Sequence, residues 1–321
     1  MNFRINPVGI ESEYLFLLNL AFGNWGDASR LSWCFGGSSA QRAADIIVLE
    51  SDGALVAGTG ISYRHLVAPS GQSMLVGILT AAWTHPNKRE RGLYLHVMRE
   101  AGRLVAERGG ALMLGFMPQD RLSGHQLLRA GSLAVSTAYL TTEGGRCTAR
   151  GGALRRCVLT DDLQRELFRR VNLRAEQTLR FLYPSMEAFV LQFLERVNPV
   201  QILVDSEDNY FLVERSESVI NLLAVLPSTP GLPTKEHLRT AVALAMHEQK
   251  ELFAYASNGA AISTAASVGL VAKPGFLTAT VADRAAFLAA VSGDPMASDA
   301  FIKTQCQEIL CTIHLENGDR M

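Results

Sequence analysis

Apolar positions along the chain recur with two different periods. Alternating or continuous apolar runs predict strands at Ala44–Glu50, Ala54–Ala68, Ser73–Thr84, Ala111–Phe116 and Leu133–Thr141. Ser51-Asp52-Gly53 is a hairpin signal between the first two, and Pro69-Ser70-Gly71-Gln72 turns the chain after the second. Ser73–Thr84 is apolar almost throughout, which predicts a central strand covered on both faces. Helical spacing marks Glu11–Ala21, Asp27–Cys34 after a Gly23/Gly26 break, Gly92–Arg108 and Leu122–Arg129. In the third of these, Leu93, Val97, Met98, Ala101, Leu104 and Val105 share one face.

Residues 142–157 are rich in glycine and arginine without periodicity, and read as a linker or crossover. Beyond them the pattern predicts helices at Asp161–Arg180 and Met186–Val197, and strands at Val200–Asp205, Tyr210–Arg215 and Val219–Leu226. A proline-rich loop then leads to a helix at Lys235–Lys250, a strand at Leu252–Ala256, a helix at Gly259–Val268 and a strand at Gly275–Ala282. The order repeats that of the front half. Pro86 and Pro227 are 141 residues apart, Leu112 and Leu252 140, and Gly131 and Gly269 138. A near-constant offset with one order of elements points to two copies of one fold.

Composition narrows the function. Of 321 residues, 48% are hydrophobic and 19% charged, enough apolar surface for two cores. The net charge of −1 argues against a nucleic-acid or acidic-membrane binder, which needs a basic surplus. The charge is uneven: residues 1–150 carry 14 basic and 11 acidic side chains, residues 151–321 carry 16 and 20. Five cysteines without a CxxC pair fit free thiols in a reducing cytoplasm, with no metal site. The N-terminus lacks a signal-peptide pattern, and no apolar stretch is long enough to span a bilayer. A cytoplasmic location is the expectation.

The chemistry concentrates in Thr84-His85-Pro86-Asn87-Lys88-Arg89-Glu90-Arg91-Gly92-Leu93-Tyr94. A buried strand runs into a short basic loop that opens a helix. Unpaired amides and the positive end of the helix dipole meet there, Gly92 keeps the backbone accessible, and Lys88, Arg89 and Arg91 add charge. Physically this is a seat for a pyrophosphate.

Pro86-x-x-Arg89-x-Arg91-Gly92-x-Tyr94 resembles the pyrophosphate loop of the GNAT acyltransferase superfamily, and Leu128-Arg129-Ala130-Gly131 is similar to the helix end that follows in that family. Tyr94 and Thr84 depart from the usual small residue and valine. The resemblance implies an α/β (α+β) chain of two tandem GNAT-like domains, each a mixed, mostly antiparallel sheet flanked by helices. Residues 1–145 would be the acyl-CoA-binding domain, 146–160 a linker and 161–321 a degenerate copy. It implies acetyl-CoA or another acyl-CoA as co-substrate, with its pyrophosphate on the amides from Arg89 through Glu90, Arg91, Gly92 and Leu93 to Tyr94. Its thioester would lie by a backbone N–H of Trp83 or Thr84. An amine would attack directly, without a covalent enzyme intermediate.

The proton-handling groups stay open. Ser73–Thr84 has no carboxylate, and the position where the family often has a tyrosine falls near Leu127. Tyr139, His125 and Tyr63 are the catalytic candidates, with His85, His65 and the terminal carboxylate of Met321 as further ones. Trp25, Trp33 and Phe35 are candidates to line an acceptor pocket. In the back half the matching loop carries Pro227, Pro230 and Pro233 and no arginine, so no CoA is expected there, and that half would shape the acceptor cleft or an oligomer interface. The leading expectation is an N-acyltransferase acting on a small-molecule amine, with a homodimer left open. A protein or peptide N-acetyltransferase and a non-catalytic acyl-CoA sensor are the alternatives.

Overall fold

The computed structural model of the chain describes residues 1–35, 44–89, 91–143, 151–174, 178–294 and 296–320. Strand β1 (Asn2–Ile5) leads into helices α1 (Glu11–Phe22) and α2 (Ala28–Phe35), then into the hairpin β2 (Ala44–Ser51) and β3 (Ala54–Val67). Asp52 and Gly53 take φ of 55° and 77°, the left-handed pair that a two-residue hairpin turn requires. There follow β4 (Ser73–Thr84), α3 (Leu93–Glu107), β5 (Leu112–Pro118), α4 (Leu122–Arg129) and β6 (Leu133–Thr141).

The later elements are β7 (Arg155–Arg156), α5 (Asp161–Leu173), β8 (Arg180–Leu182), α6 (Met186–Phe193), β9 (Val200–Val204), β10 (Tyr210–Arg215) and β11 (Val219–Leu226). They continue with α7 (Lys235–His247), β12 (Glu251–Ala256), α8 (Gly259–Ala266), β13 (Val271–Val281), α9 (Arg284–Val291) and α10 (Asp299–Thr312). Three differences from the sequence pattern matter. The helix expected over Asp161–Arg180 ends at Leu173, and Arg180–Leu182 instead pairs with β3. The segment read as a linker contributes β7, paired with β9. The residues after 282, which the periodicity leaves unassigned, form α9, α10 and a C-terminal 3₁₀ turn at Asn317–Arg320.

The strands make one continuous sheet in the order β1-β2-β3-β4-β5-β13-β6-β12-β11-β10-β9-β7, with β8 beside β3. The order is symmetric about the β13–β6 pair. On one side β4 and β5 are parallel and β5 pairs antiparallel with β13; on the other, β11 and β12 are parallel and β12 pairs antiparallel with β6. Each half therefore places its last strand in the other's sheet, and the cross-strand pairs on both sides bind the halves into one ladder. Helices α3, α4, α7 and α8 cover one face, while α1, α2, α5, α6, α9 and α10 cover the other. Alternation along each strand supplies both layers, as Val48 and Leu49 on β2 show by packing on opposite faces.

The chain's last residues are buried beneath this sheet. The Arg174 guanidinium reaches Glu316 Oε2 at 2.8 Å and Asp319 Oδ1 at 2.5 Å. Tyr183 Oη donates to Asp319 Oδ1 at 2.7 Å, and Gln192 Nε2 donates to the Gly318 carbonyl at 2.6 Å. Arg64 on β3 donates to Gln192 Oε1, which brings the front half into the same network. Gly318 allows the close approach: a Cβ there would stand 2.3 Å from the Phe193 ring. Removing one partner of such a buried ion cluster strands the others without water. Arg174→Met is expected to lower the unfolding free energy by about 3–5 kcal/mol, read from urea denaturation. A loss below about 1 kcal/mol, the scale of an exposed pair, would show that the cluster does not tie the tail down.

Candidate functional site

The site begins where β4 and β5 stop being neighbours. They pair only from Val76/Leu112 to Leu79/Gly115. Past that point β4 carries a bulge: Gly58 stands opposite Trp83 and Gly60 opposite Thr80, so β4 has one residue more than β3 there. Ala81 in the bulge takes φ 51°, uncommon for a residue with a Cβ. β5 stays paired with β13 as far as Pro118/Gly275, so the extra twist opens a gap between β4 and β5. The His85 N–H donates to the Val56 carbonyl on β3 at 2.9 Å. Strand alternation then turns the N–H of Thr84 the other way, into the gap.

Beyond Thr84 a 3₁₀ turn at Pro86–Lys88 is capped by His85, whose Nδ1 accepts the Asn87 N–H at 3.2 Å. The loop then reaches α3 with Gly92 as N-cap at φ 72°, a left-handed conformation that favours glycine. Among the described residues no side chain caps this helix, and its first turn holds no acidic residue, so the leading amides keep their positive character. Arg89 and Arg91 are exposed beside it, and the Arg89 guanidinium also reaches the Ala21 carbonyl at the end of α1. Uncapped amides, two exposed guanidinium groups and a strand-edge N–H within one loop form a donor set for an anion joined to an extended chain.

The expected cofactor residues divide by what they can offer. Trp83 is buried with its ring edge-on to Tyr14 at 5.8 Å, and Leu93 is buried in the α3 core, so each presents backbone only. Thr84, Arg89, Arg91, Gly92 and Tyr94 lie together along the gap and loop. Glu90 falls outside the described residues, as does Met321. A residue the sequence did not single out is Ser123 at the start of α4, whose hydroxyl faces that of Tyr94; burial drives the Tyr94 phenol up, and Ser123 acts the other way.

The three catalytic candidates do not converge. His125 is exposed on α4, edge-on to Phe276 at 6.1 Å. Tyr139 on β6 lies in an aromatic cluster with Phe253 and Tyr255 under the Arg320 guanidinium, and burial pushes its phenol up. Tyr63 stands elsewhere: its hydroxyl donates to Asp45 Oδ2 at 2.8 Å, beside Arg108 at the C-terminal end of α3. The 15 residues of α3 put about 22 Å between that end and the basic loop. The structure therefore does not bring Tyr63 to the gap, because strand β3 extends well past the bulge before reaching it. His65 joins Tyr63 in a separate cavity against α6.

The early aromatics form a roof. Trp25 stacks on Phe35 at 6.2 Å, and a Cβ on Gly60 would stand 2.0 Å from the Phe35 ring. Trp33 Nε1 donates to the Leu191 carbonyl of α6 at 3.2 Å, beneath the Arg196 guanidinium. Among the described residues no helix is long and apolar enough to cross a membrane, and no group of three His, Cys, Asp or Glu side chains could hold a metal ion.

The sequence matches no family model and no curated protein. Solved structures match the architecture. A conserved protein from Enterococcus faecalis V583, of unknown function and described as a probable N-acyltransferase, superposes with a TM-score of 0.60 at 13% identity, covering 90% of this chain and 75% of that one. A GCN5-related N-acetyltransferase from Anabaena variabilis gives the same four values. A tandem GNAT protein from the clavulanic acid biosynthesis pathway superposes with a TM-score of 0.57 at 13% identity, covering 88% of this chain and 99% of that one. The chain has the tandem GNAT fold.

Asp45 offers a check on the Tyr63 cluster. Burial alone would raise its carboxyl, but hydrogen bonds from Arg108, Asn6 and Tyr63 outweigh this and hold it below the usual range. The unfolded chain then binds more protons between the two values, so the stability Asp45 contributes is present above the ordinary carboxyl range and lost as pH falls through the lower one. Asp45→Asn is expected to flatten the rise of unfolding free energy between about pH 2 and pH 5, the range spanning an ordinary Asp; an unchanged slope would contradict the arrangement.

Proposed function

We propose that the protein is an N-acyltransferase that moves an acetyl or longer acyl group from acyl-CoA to the amine of a small molecule. The observation that carries this reading is the gap between β4 and β5, with the Thr84 N–H turned into it beside an uncapped helix start flanked by Arg89 and Arg91. The amides from Arg91 to Tyr94 would hold the pyrophosphate, with the two arginines as charge-assisted donors. Bound acyl-CoA would supply an activated thioester for direct attack. The Thr84 N–H, fixed by the bulged strand, would donate to oxygen as negative charge develops on it.

Proton transfer is then a matter of the chain's own residues. Tyr139, in the aromatic cluster two strands from β5, and His125 at the α4 surface are the candidates we carry forward. The acceptor would approach under the roof of α1, α2 and α6, whose Trp33–Leu191 hydrogen bond encloses that face of the sheet. An enclosed approach favours a small molecule over a folded protein. A non-catalytic acyl-CoA sensor shares the same seat and differs in releasing no thiol.

Acetyl-CoA at saturation is expected to raise the melting temperature, because ligand binding to the native state alone stabilises it. The double charge reversal Arg89→Glu/Arg91→Glu is expected to weaken acetyl-CoA at least about tenfold, measured by titration calorimetry. No thermal shift in the parent protein, or unchanged affinity in the variant, would sink the reading. Thiol release across an amine panel separates transferase from sensor, and Tyr139→Phe and His125→Ala then rank the two proton carriers by kcat.

A further inference from the structure

The symmetric sheet provides a second gap, between β11 and β12, which pair only from Val219/Glu251 to Asn221/Phe253. Val225 stands opposite Phe211 on β10 as Thr84 stands opposite Ala57 on β3, so Val225 is the counterpart of Thr84. Its N–H is already taken: it donates to Glu316 Oε1 at 2.9 Å. The helix start is closed too. Thr234 and His237 form a reciprocal capping box on α7, whereas α3 has no side-chain cap among the described residues. Pro227, Pro230 and Pro233 remove three amides from the loop between. This gap has no seat for a pyrophosphate.

It nonetheless holds a cavity of ≈ 170 Å³, on the scale of an apolar cavity of about 150 Å³ that takes up benzene. The walls are apolar, with Leu222, Leu232, Leu238, Ala254 and Ala261 among them. His314 is one of its lining residues, 4% exposed, and neither ring nitrogen meets a hydrogen-bond partner among the described residues. Burial, helped by nearby Arg174, lowers its pKa to about 4 and keeps the imidazole neutral. A neutral imidazole offers one donor and one acceptor, and leaving both unmade in an apolar site is costly.

We propose that the back-half cleft is a binding site for a small uncharged molecule with an apolar body and a hydroxyl group, the hydroxyl pairing with His314. The hydroxyl both donates and accepts, which matches a neutral imidazole. An anion meets no lysine or arginine among the residues that line the cleft, and Arg174 near His314 is held between Glu316 and Asp319. A cation would have to shed water against apolar walls with both carboxylates already paired.

The test uses the full chain and 1-naphthol as probe, followed by calorimetry and thermal shift, with naphthalene and 1-naphthoate as comparators. Saturable binding of 1-naphthol is expected, about five- to tenfold tighter than naphthalene, the scale of one hydrogen bond, with 1-naphthoate weaker than either. His314→Phe should bind both neutral compounds alike. Ala261→Trp, which fills the cavity from its rim and leaves the buried network in place, should abolish binding with an unchanged circular-dichroism spectrum. The proposal is overturned if 1-naphthol does not bind saturably, if Ala261→Trp binds it as the parent does, or if 1-naphthoate binds best. None of these outcomes depends on whether the front gap takes acyl-CoA.

Discussion

The buried charge of Arg174 is the constraint on which the rest of the structure turns. A guanidinium under the centre of a sheet must be matched by carboxylates, and the chain supplies Glu316 and Asp319 from its own last residues. That requirement draws the tail beneath the sheet, where Ser257 fixes it further by donating to the Ile313 carbonyl and accepting the Leu315 N–H. Desolvation still outweighs the ion pair at Glu316, whose pKa is pushed up to about 7. The cluster is therefore a device for placing the tail more than a source of large stability.

Placing the tail makes the two halves unequal. Their strand order and cross-strand registers are symmetric, and each has a gap where two parallel strands part. In the front gap the strand-edge donor at Thr84 and the leading amides of α3 keep their capacity for a ligand. In the back gap Glu316 takes the equivalent donor, and Thr234 and His237 take the helix start. The same backbone geometry thus leaves a set of open donors on one side and an apolar pocket on the other. The difference lies in who satisfies a handful of N–H groups.

Strand exchange adds a second coupling. β13 lies between β5 and β6, so the wall of the front gap is partly built from the back half, and Phe116 on β5 meets Tyr255 on β12 edge-on at 5.8 Å. Tyr139, Tyr255 and the Arg320 guanidinium form the shared floor between the gaps. A residue at this junction belongs to both halves, which is why assigning Tyr139 to one domain by sequence position alone says little about the site it serves.

Much of this is local and therefore legible in the sequence. Apolar runs, alternating or continuous, located β2, β3, β4, β6, β9, β10 and β11 to within a residue or two, the Asp52-Gly53 turn set the hairpin, and Arg89, Arg91 and Gly92 marked the loop, because each effect acts between residues close along the chain. The overrun past Leu173 had the opposite cause: helical spacing continues in the sequence, but Arg174 leaves the helix to reach carboxylates more than 140 residues away. For the same reason the sequence grouped Tyr63 with the site, although its phenol is committed to Asp45. By itself the sequence determined most of the elements between residues 11 and 282, the repeat and the donor types of the basic loop. Only the tertiary structure decided the exchange of β13, the closing of the back gap by Glu316 and a His314 without a hydrogen-bond partner among the described residues. Those depend on pairings between distant residues, which no local period records.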